Sequence, residues 1–201
     1  MGRLTGKNIL IIIPKDYYNE DEFEIIHKKL KKEDATIKVA SSKLKEAVGM
    51  KTGRLMPDLL IVDSVEGLIG DSYVASSMKG TRQIKGVFHG ALLIGGKGAK
   101  KYLWKDKIIN MLLADRYRSN MVVAAIGLAV PALAGAGLVE GIDVTVEKNS
   151  KAIEALEDAR AIVQEDENVV VGERIITAQS AEAAEKFTEA FIEQVAKTPL
   201  K

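Results

Sequence analysis

The chain has 201 residues, with 29 basic against 28 acidic side chains and a formal net charge of +1. That length suits one domain with a sizeable core, and the charge balance gives no electrostatic footprint for nucleic acid. There is no cysteine, which excludes disulfides, thiolate metal sites and thiol nucleophiles together. No apolar run reaches the roughly 18 residues of a membrane span. The amino-terminal MGRLTGKNILIII is not signal-like, because its short apolar run flows into an acidic, aromatic loop. A cytoplasmic protein without membrane or nucleic-acid partners is expected.

Along the chain, apolar β-branched runs alternate with charged amphipathic segments, the pattern of a sheet covered by helices on both faces. Ile9–Ile13 reads as a continuous buried strand. Asp21–Lys32 follows as a helix with Phe23, Ile26 and Leu30 at helical spacing, and Asn19 or Asp21 can cap its start. The Lys28–Lys32 cluster is a solvated helix face. Thr36–Ala40 and Leu59–Val62 read as strands, and Gly67 to Gly86 as an insertion with a short helix. Within that insertion Tyr73, Val74 and Met78 are candidates for a lid or contact element. Ala91–Ile94 is a strand ending at Gly95-Gly96, and Lys100–Ala114 is helical. Further strands are expected at Asp143–Val146, Ala161–Val163, Asn168–Val171 and Arg174–Thr177, with helices at Lys151–Asp158 and Ala181–Ala196. The fold expected is α/β, a three-layer sandwich with a mainly parallel, flavodoxin-like sheet in a single domain.

The most informative stretch is MVVAAIGLAVPALAGAGL, residues 121–138. A strand ends at Ile126, and helical character begins at Leu128, with Pro131 tolerated in a first turn. Strand–turn–helix junctions with small residues two positions either side of the centre present nucleophiles in several hydrolase classes, because the turn is too tight for larger flanks. Ala125 and Ala129 are the small flanks here, yet the central residue is Gly127.

Other candidates carry weaker signals. The glycines of IGGKGAKK, followed by Lys97, Lys100 and Lys101, suit an anion at a helix start but match neither a P-loop nor a dinucleotide fingerprint. Gln179 and Ser180 lie near the end of the last strand and read as pocket residues or as caps. His27 sits among lysines on a helix surface, and His89 lies at the amino-terminal end of a strand, away from the carboxyl ends where open α/β sheets bind ligands. Two isolated histidines without acidic ligand spacing argue against a metal, and no cofactor is implied. Glu22 reads either as a buried carboxyl with a raised pKa or as a first-turn acid favouring the helix dipole.

The ILIIIP strand, the DEFEII helix start, ALLIGGKGAKKYLW, AAIGLAVPALAGAGLVEGIDVTV and the closing DENVVVGERIITAQSAEAAEKFTEAFIE together resemble the ThiJ/PfpI superfamily, which shares the class I glutamine amidotransferase-like fold. The resemblance covers nearly the whole chain. It implies a dimer or larger assembly, a Cys nucleophile on the strand–helix turn, often a following His, and a Glu near the start of the first helix. The nucleophile position falls on Gly127, the His position on Leu128, and the Glu position on Glu22, with Asp21 and Glu24 as neighbours of the same type. The family's Gly pair falls on Gly95 and Gly96, and its oxyanion-hole N–H groups on Gly96 and Leu128. Peptidase, glyoxalase and amidotransferase activities are therefore not expected.

Three readings follow. The first is a noncatalytic homo-oligomer binding a small anionic or carbonyl ligand around Glu22, Gly95, Gly96, Gly127 and Leu128. The second is a thiol-independent lyase, hydratase or hydrolase with Glu22 as general base. The third is a structural or stress-related assembly protein whose pocket is filled by Leu128 or Tyr17. Gly127 is expected at positive φ, and its missing side chain is expected to leave a small void beside Glu22.

Overall fold

The computed structural model describes residues 2–73 and 81–200. Strand β1 (Asn8–Ile12) is followed by the short β2 (Asp16–Tyr18), helix α1 (Glu20–Lys32) and β3 (Thr36–Ser41). Next come β4 (Ala47–Gly49), β5 (Arg54–Leu55), β6 (Leu59–Leu60) and α2 (Ile61–Val65). A ribbon of β7 (Leu68–Tyr73) and β8 (Thr81–Lys85) leads into β9 (Phe88–Leu93), α3 (Ala99–Tyr102) and α4 (Lys107–Arg118). The chain continues through β10 (Val122–Ile126), α5 (Pro131–Gly135), β11 (Asp143–Val144), α6 (Ser150–Asp158), β12 (Ile162–Val163), β13 (Val169–Val171), β14 (Ile175–Ala178) and α7 (Ala184–Lys197).

Seven strands form the central sheet in the order β13-β14-β10-β9-β1-β3-β6. All pairs are parallel except β13 with β14. Alternation along β1 divides the core. Ile9, Ile11 and Ile13 join Ile26, Leu30, Phe187 and Phe191 beneath α1 and α7. Leu10 and Ile12 join Leu112, Leu113, Leu133 and Leu156 beneath the helices of the other face. The three-layer α/β expectation holds.

The chain runs outward from β1 to β3 and β6, then returns to the other side of β1 as β9. The order therefore reverses between β1 and β9, and the crevice outside their carboxyl ends is where such sheets place ligands. Residues following β1 (Asn19, Glu22), β9 (Gly95, Gly96) and β10 (Gly127) converge there.

Several expected boundaries shift. The Leu59–Val62 strand stops at Leu60, because Asp63 Oδ2 accepts the Leu60 N–H at 3.3 Å and the chain turns into α2. The described part of the Gly67–Gly86 insertion is an antiparallel ribbon rather than a short helix, closed at its base by Gly86 N donating to Gly67 O at 2.8 Å. Tyr73 ends β7, whereas Val74 and Met78 lie outside the described residues. The Lys100–Ala114 helix is two helices, since Asp106 caps a fresh start by accepting from Ile108 N and Ile109 N. The Ala91–Ile94 strand begins at Phe88, so His89 lies inside it, buried, with Nδ1 accepting from Asn8 N at 3.1 Å.

Candidate functional site

Asn19 caps α1. Its extended backbone (φ −82°, ψ 110°) aims the side-chain oxygen at Glu22 N, 3.3 Å away. In a reciprocal capping box the Glu carboxylate would return to the Asn19 N–H. Here that N–H donates instead to Gly95 O at 3.0 Å, and Glu22 is released to point across the sheet end. Its Oε2 accepts from Gly95 N at 2.8 Å, and Oε1 lies 3.1 Å from Asn19 Nδ2. The residue is 0 % exposed. Asp21 pairs with Lys51 at the surface and Glu24 is exposed, so the capping geometry selects Glu22 alone of the three acids.

Gly127 has φ +58°, the left-handed conformation expected at this junction. The expected void is absent. A Cβ on Gly127 would lie 2.5 Å from Glu22 Oε1, so the glutamate carboxyl fills the space a nucleophile's side chain would take. The same point is 3.6 Å from Glu147 Oε2. Glu147 escaped the sequence reading: it lies 20 residues past Gly127, and only the position of the chain after β11 brings it to the mouth. The signal that could have found it is an acid directly following the expected Asp143–Val146 strand.

Two carboxyls thus flank one glycine. Burial pushes the Glu22 pKa up to about 8, with the neighbouring Glu147 adding to it and the Gly95 N–H opposing. Burial also raises Glu147, which is half-buried. Glu22 is therefore largely protonated at neutral pH, a buried acid able to donate.

The N–H that reaches the carboxyl belongs to Gly95, one residue before the expected Gly96. Gly96, at φ +111°, instead brings its Cα close to the Tyr17 carbonyl and the Asn19 amide. Leu128 N lies close to Gly95, 2.9 Å from where a Cβ on that glycine would be. The Leu128 side chain packs on the core beneath α4 to α6, and its carbonyl accepts from Trp104 Nε1 at 2.6 Å. Tyr17 is 55 % exposed and turned to solvent at φ +59°. Neither residue fills the pocket; Glu22 does.

The remaining candidates have other contacts. Gln179 Nε2 donates to Glu165 O, and Ser180 O accepts from Ala183 N at the start of the last helical segment. His27 stacks on Phe23 with ring centroids 5.3 Å apart. Lys97, Lys100 and Lys101 are exposed. Among the described residues, no group of three or more His, Asp or Glu side chains could hold a metal ion, and no helix is long and apolar enough to cross a membrane.

An open, mainly parallel sheet with a left-handed strand–helix turn beside its switch point defines the class, and the chain belongs to the DJ-1/PfpI family, matched over residues 7–194. It is 33 % identical over 183 residues to the uncharacterized protein MJ0967 of Methanocaldococcus jannaschii, covering 91 % of this chain and 79 % of that one. Its fold is similar to that of a ThiJ/PfpI domain protein from Brachyspira murdochii, with a TM-score of 0.78, 24 % identity, and coverage of 98 % and 99 % of the two chains. DJ-1beta from Drosophila melanogaster is also similar, at TM-score 0.75 and 20 % identity, with 98 % and 92 % covered.

Proposed function

We propose that this DJ-1/PfpI protein is a noncatalytic homo-oligomer that binds a small carbonyl or acidic ligand beside Gly127. One observation carries the reading: the position of the missing nucleophile is held by the neutral, buried carboxyl of Glu22, 2.5 Å from where a Cβ would stand. A protonated carboxyl donates to a carbonyl or carboxylate oxygen, and the Leu128 N–H beside it offers a second donor. A ligand reaching them must first displace the Glu22 side chain. The reading is tested by titrating the protein with pyruvate and acetate while following heat and the fluorescence of its one tryptophan, Trp104, whose indole bonds to Leu128 O. Binding is expected to weaken in Glu22→Gln and to ignore thiol reagents. Absence of binding to either compound at millimolar concentration would sink it.

The position of Glu147 favours a second reading, a thiol-independent acid–base enzyme acting on carbonyl compounds. With Oε2 3.6 Å from the same point, Glu147 can take a proton while Glu22 supplies one. Turnover that ignores thiol reagents and is lost in both Glu22→Gln and Glu147→Gln supports this reading over the first.

A further inference from the structure

Among the described residues, four other than glycine have left-handed backbones: Tyr17, Asp34, Asn120 and Arg160. Asp34, Asn120 and Arg160 stand just past the C-caps of α1, α4 and α6, where a left-handed residue commonly ends a helix. Tyr17, at φ +59°, ends no helix. It is the middle residue of β2, a bulky side chain in a conformation that such residues seldom take.

A bulge puts it there. Asp16 pairs with Val48 and Tyr18 with Gly49, so two adjacent residues of β4 face three of β2, and Tyr17 has no partner across the ladder. Bulges are rare in parallel pairs, and they re-aim side chains. Tyr18 keeps its place in the core, with its ring edge-on to Phe23. Tyr17 is turned outward. The bulge is held on both sides: Tyr17 O accepts from Gly98 N at 3.1 Å, and Tyr18 O from Met50 N at 3.0 Å.

The strained residue stands at the mouth of the site. A Cβ on Gly96 would lie 2.4 Å from Tyr17 O, and the adjoining Gly95 gives its N–H to Glu22. Beside Tyr17, Met50 is also exposed, and its sulfur accepts from Lys97 N at 3.4 Å, directly after the glycine pair. An exposed ring and an exposed thioether thus border the floor made by Gly95, Glu22 and Leu128 N. Neither side chain packs on the two halves of the core. A glycine would fit this turn without strain, whereas strained side chains gather at ligand clamps.

We propose that Tyr17, together with Met50, is a specificity-determining contact that selects aryl-substituted carbonyl or carboxylate ligands over their unsubstituted counterparts. The proposal rests on the ligand-binding reading above and names the ligand class. The polar end of the ligand takes the donors of Glu22 and Leu128. Its ring stacks on Tyr17 and lies against the Met50 sulfur, contacts that an aromatic group makes and a methyl group does not.

Calorimetric titration of the full chain compares acetate with phenylacetate and pyruvate with phenylpyruvate. Each phenyl compound is expected to bind about tenfold more tightly than its counterpart. Tyr17→Gly suits the left-handed turn, so it is expected to unfold at a temperature no lower than the wild type. It should bind acetate and pyruvate as before and lose most of the phenyl preference. Tyr17→Phe keeps the ring and should keep the preference, and Met50→Ala should lose a smaller share of it. A wild type that binds the small ligands but gains nothing from the phenyl group overturns this assignment and leaves the ligand-binding reading standing. A Tyr17→Gly variant that keeps the preference does the same. So does one that loses acetate and pyruvate as well, because Tyr17 would then shape the site rather than select the ring. A wild type that binds none of the four compounds at millimolar concentration overturns both.

Discussion

Glu20 and Glu22 lie two residues apart in the first turn of α1, both buried, and are driven in opposite directions. Burial alone would raise Glu20, but the N–H groups of Gly53 and Lys51 outweigh it and hold its carboxyl below the ordinary range. Both of its oxygens accept from Lys51 N, at 3.0 and 2.9 Å, and Oε1 also accepts from Gly53 N at 2.7 Å. The turn can wrap this closely because Gly49 has no side chain; a Cβ there would collide with the carboxylate. Glu22 has one backbone N–H, from Gly95, and faces a second carboxyl. The contrast teaches that burial sets the cost of a charge, and the count of aimed donors decides whether it is kept. Glu20 is an ionised strut that builds β4 and β5; Glu22 is a neutral acid stored at the site.

The largest expected effect breaks the strut. Glu20→Ala leaves the part-buried N–H groups of Lys51 and Gly53 unmatched and should cost about 3–4 kcal/mol in urea unfolding. Glu20→Gln, which keeps one acceptor oxygen, should cost about half as much. If Glu20→Ala unfolds like the wild type, the carboxylate does not organise that turn.

Glu22 sharpens the comparison through pH. Its folded-state pKa of about 8 lies above that of the unfolded chain, so the folded protein holds the proton more tightly. Its contribution is full below the ordinary glutamate range and is lost as pH rises through about 8, at up to about 1.4 kcal/mol per pH unit. Glu22→Gln should remove that slope, and its advantage over the wild type should grow towards alkaline pH. Glu20, with a lowered pKa, has the opposite sign and loses its contribution as pH falls. Thermal unfolding of the two Gln variants between pH 4 and 9 reads both signs.

Gly127→Ala tests whether Glu22 fills the nucleophile's place. A Cβ at φ +58° carries left-handed strain and must move Oε1, for a cost of about 2 kcal/mol. Adding Glu22→Ala should recover part of that cost, whereas strict additivity would show that the two residues do not compete. Gly127→Cys should share the strain and give a thiol that alkylates readily with little turnover, because Leu128 stands where a His would be. The smallest effect is expected for Trp104→Phe, which leaves Leu128 O without its indole partner and should cost about 1 kcal/mol by chemical denaturation.

The larger elements were legible because their pattern is local. The five-residue apolar runs of β1 and β10, and the helical spacing of Phe23, Ile26 and Leu30, need no knowledge of distant residues. The small sheet of β2, β4 and β5 was not legible. DYY, AVG and RL carry no periodicity, and they pair because Glu20 gathers the turn between the last two. At the site, the tight turn at Gly127 could be read from its small flanks, and its left-handed backbone from the family resemblance. Glu147 could not be placed, since its approach depends on how β11 lies against β14 through Thr145 N and Thr177 Oγ1 at 2.9 Å.

The sequence by itself determined the α/β alternation, the family, the absence of a thiol and the glycine at the turn, all properties of residue identity and short-range spacing. Tertiary structure decided what became of the vacated space. A missing side chain removes atoms from one point of the chain, but only packing says which distant group moves in. Here Asn19 gives its backbone N–H to Gly95 rather than to Glu22, so the carboxyl crosses to Gly127, where burial and Glu147 keep it protonated.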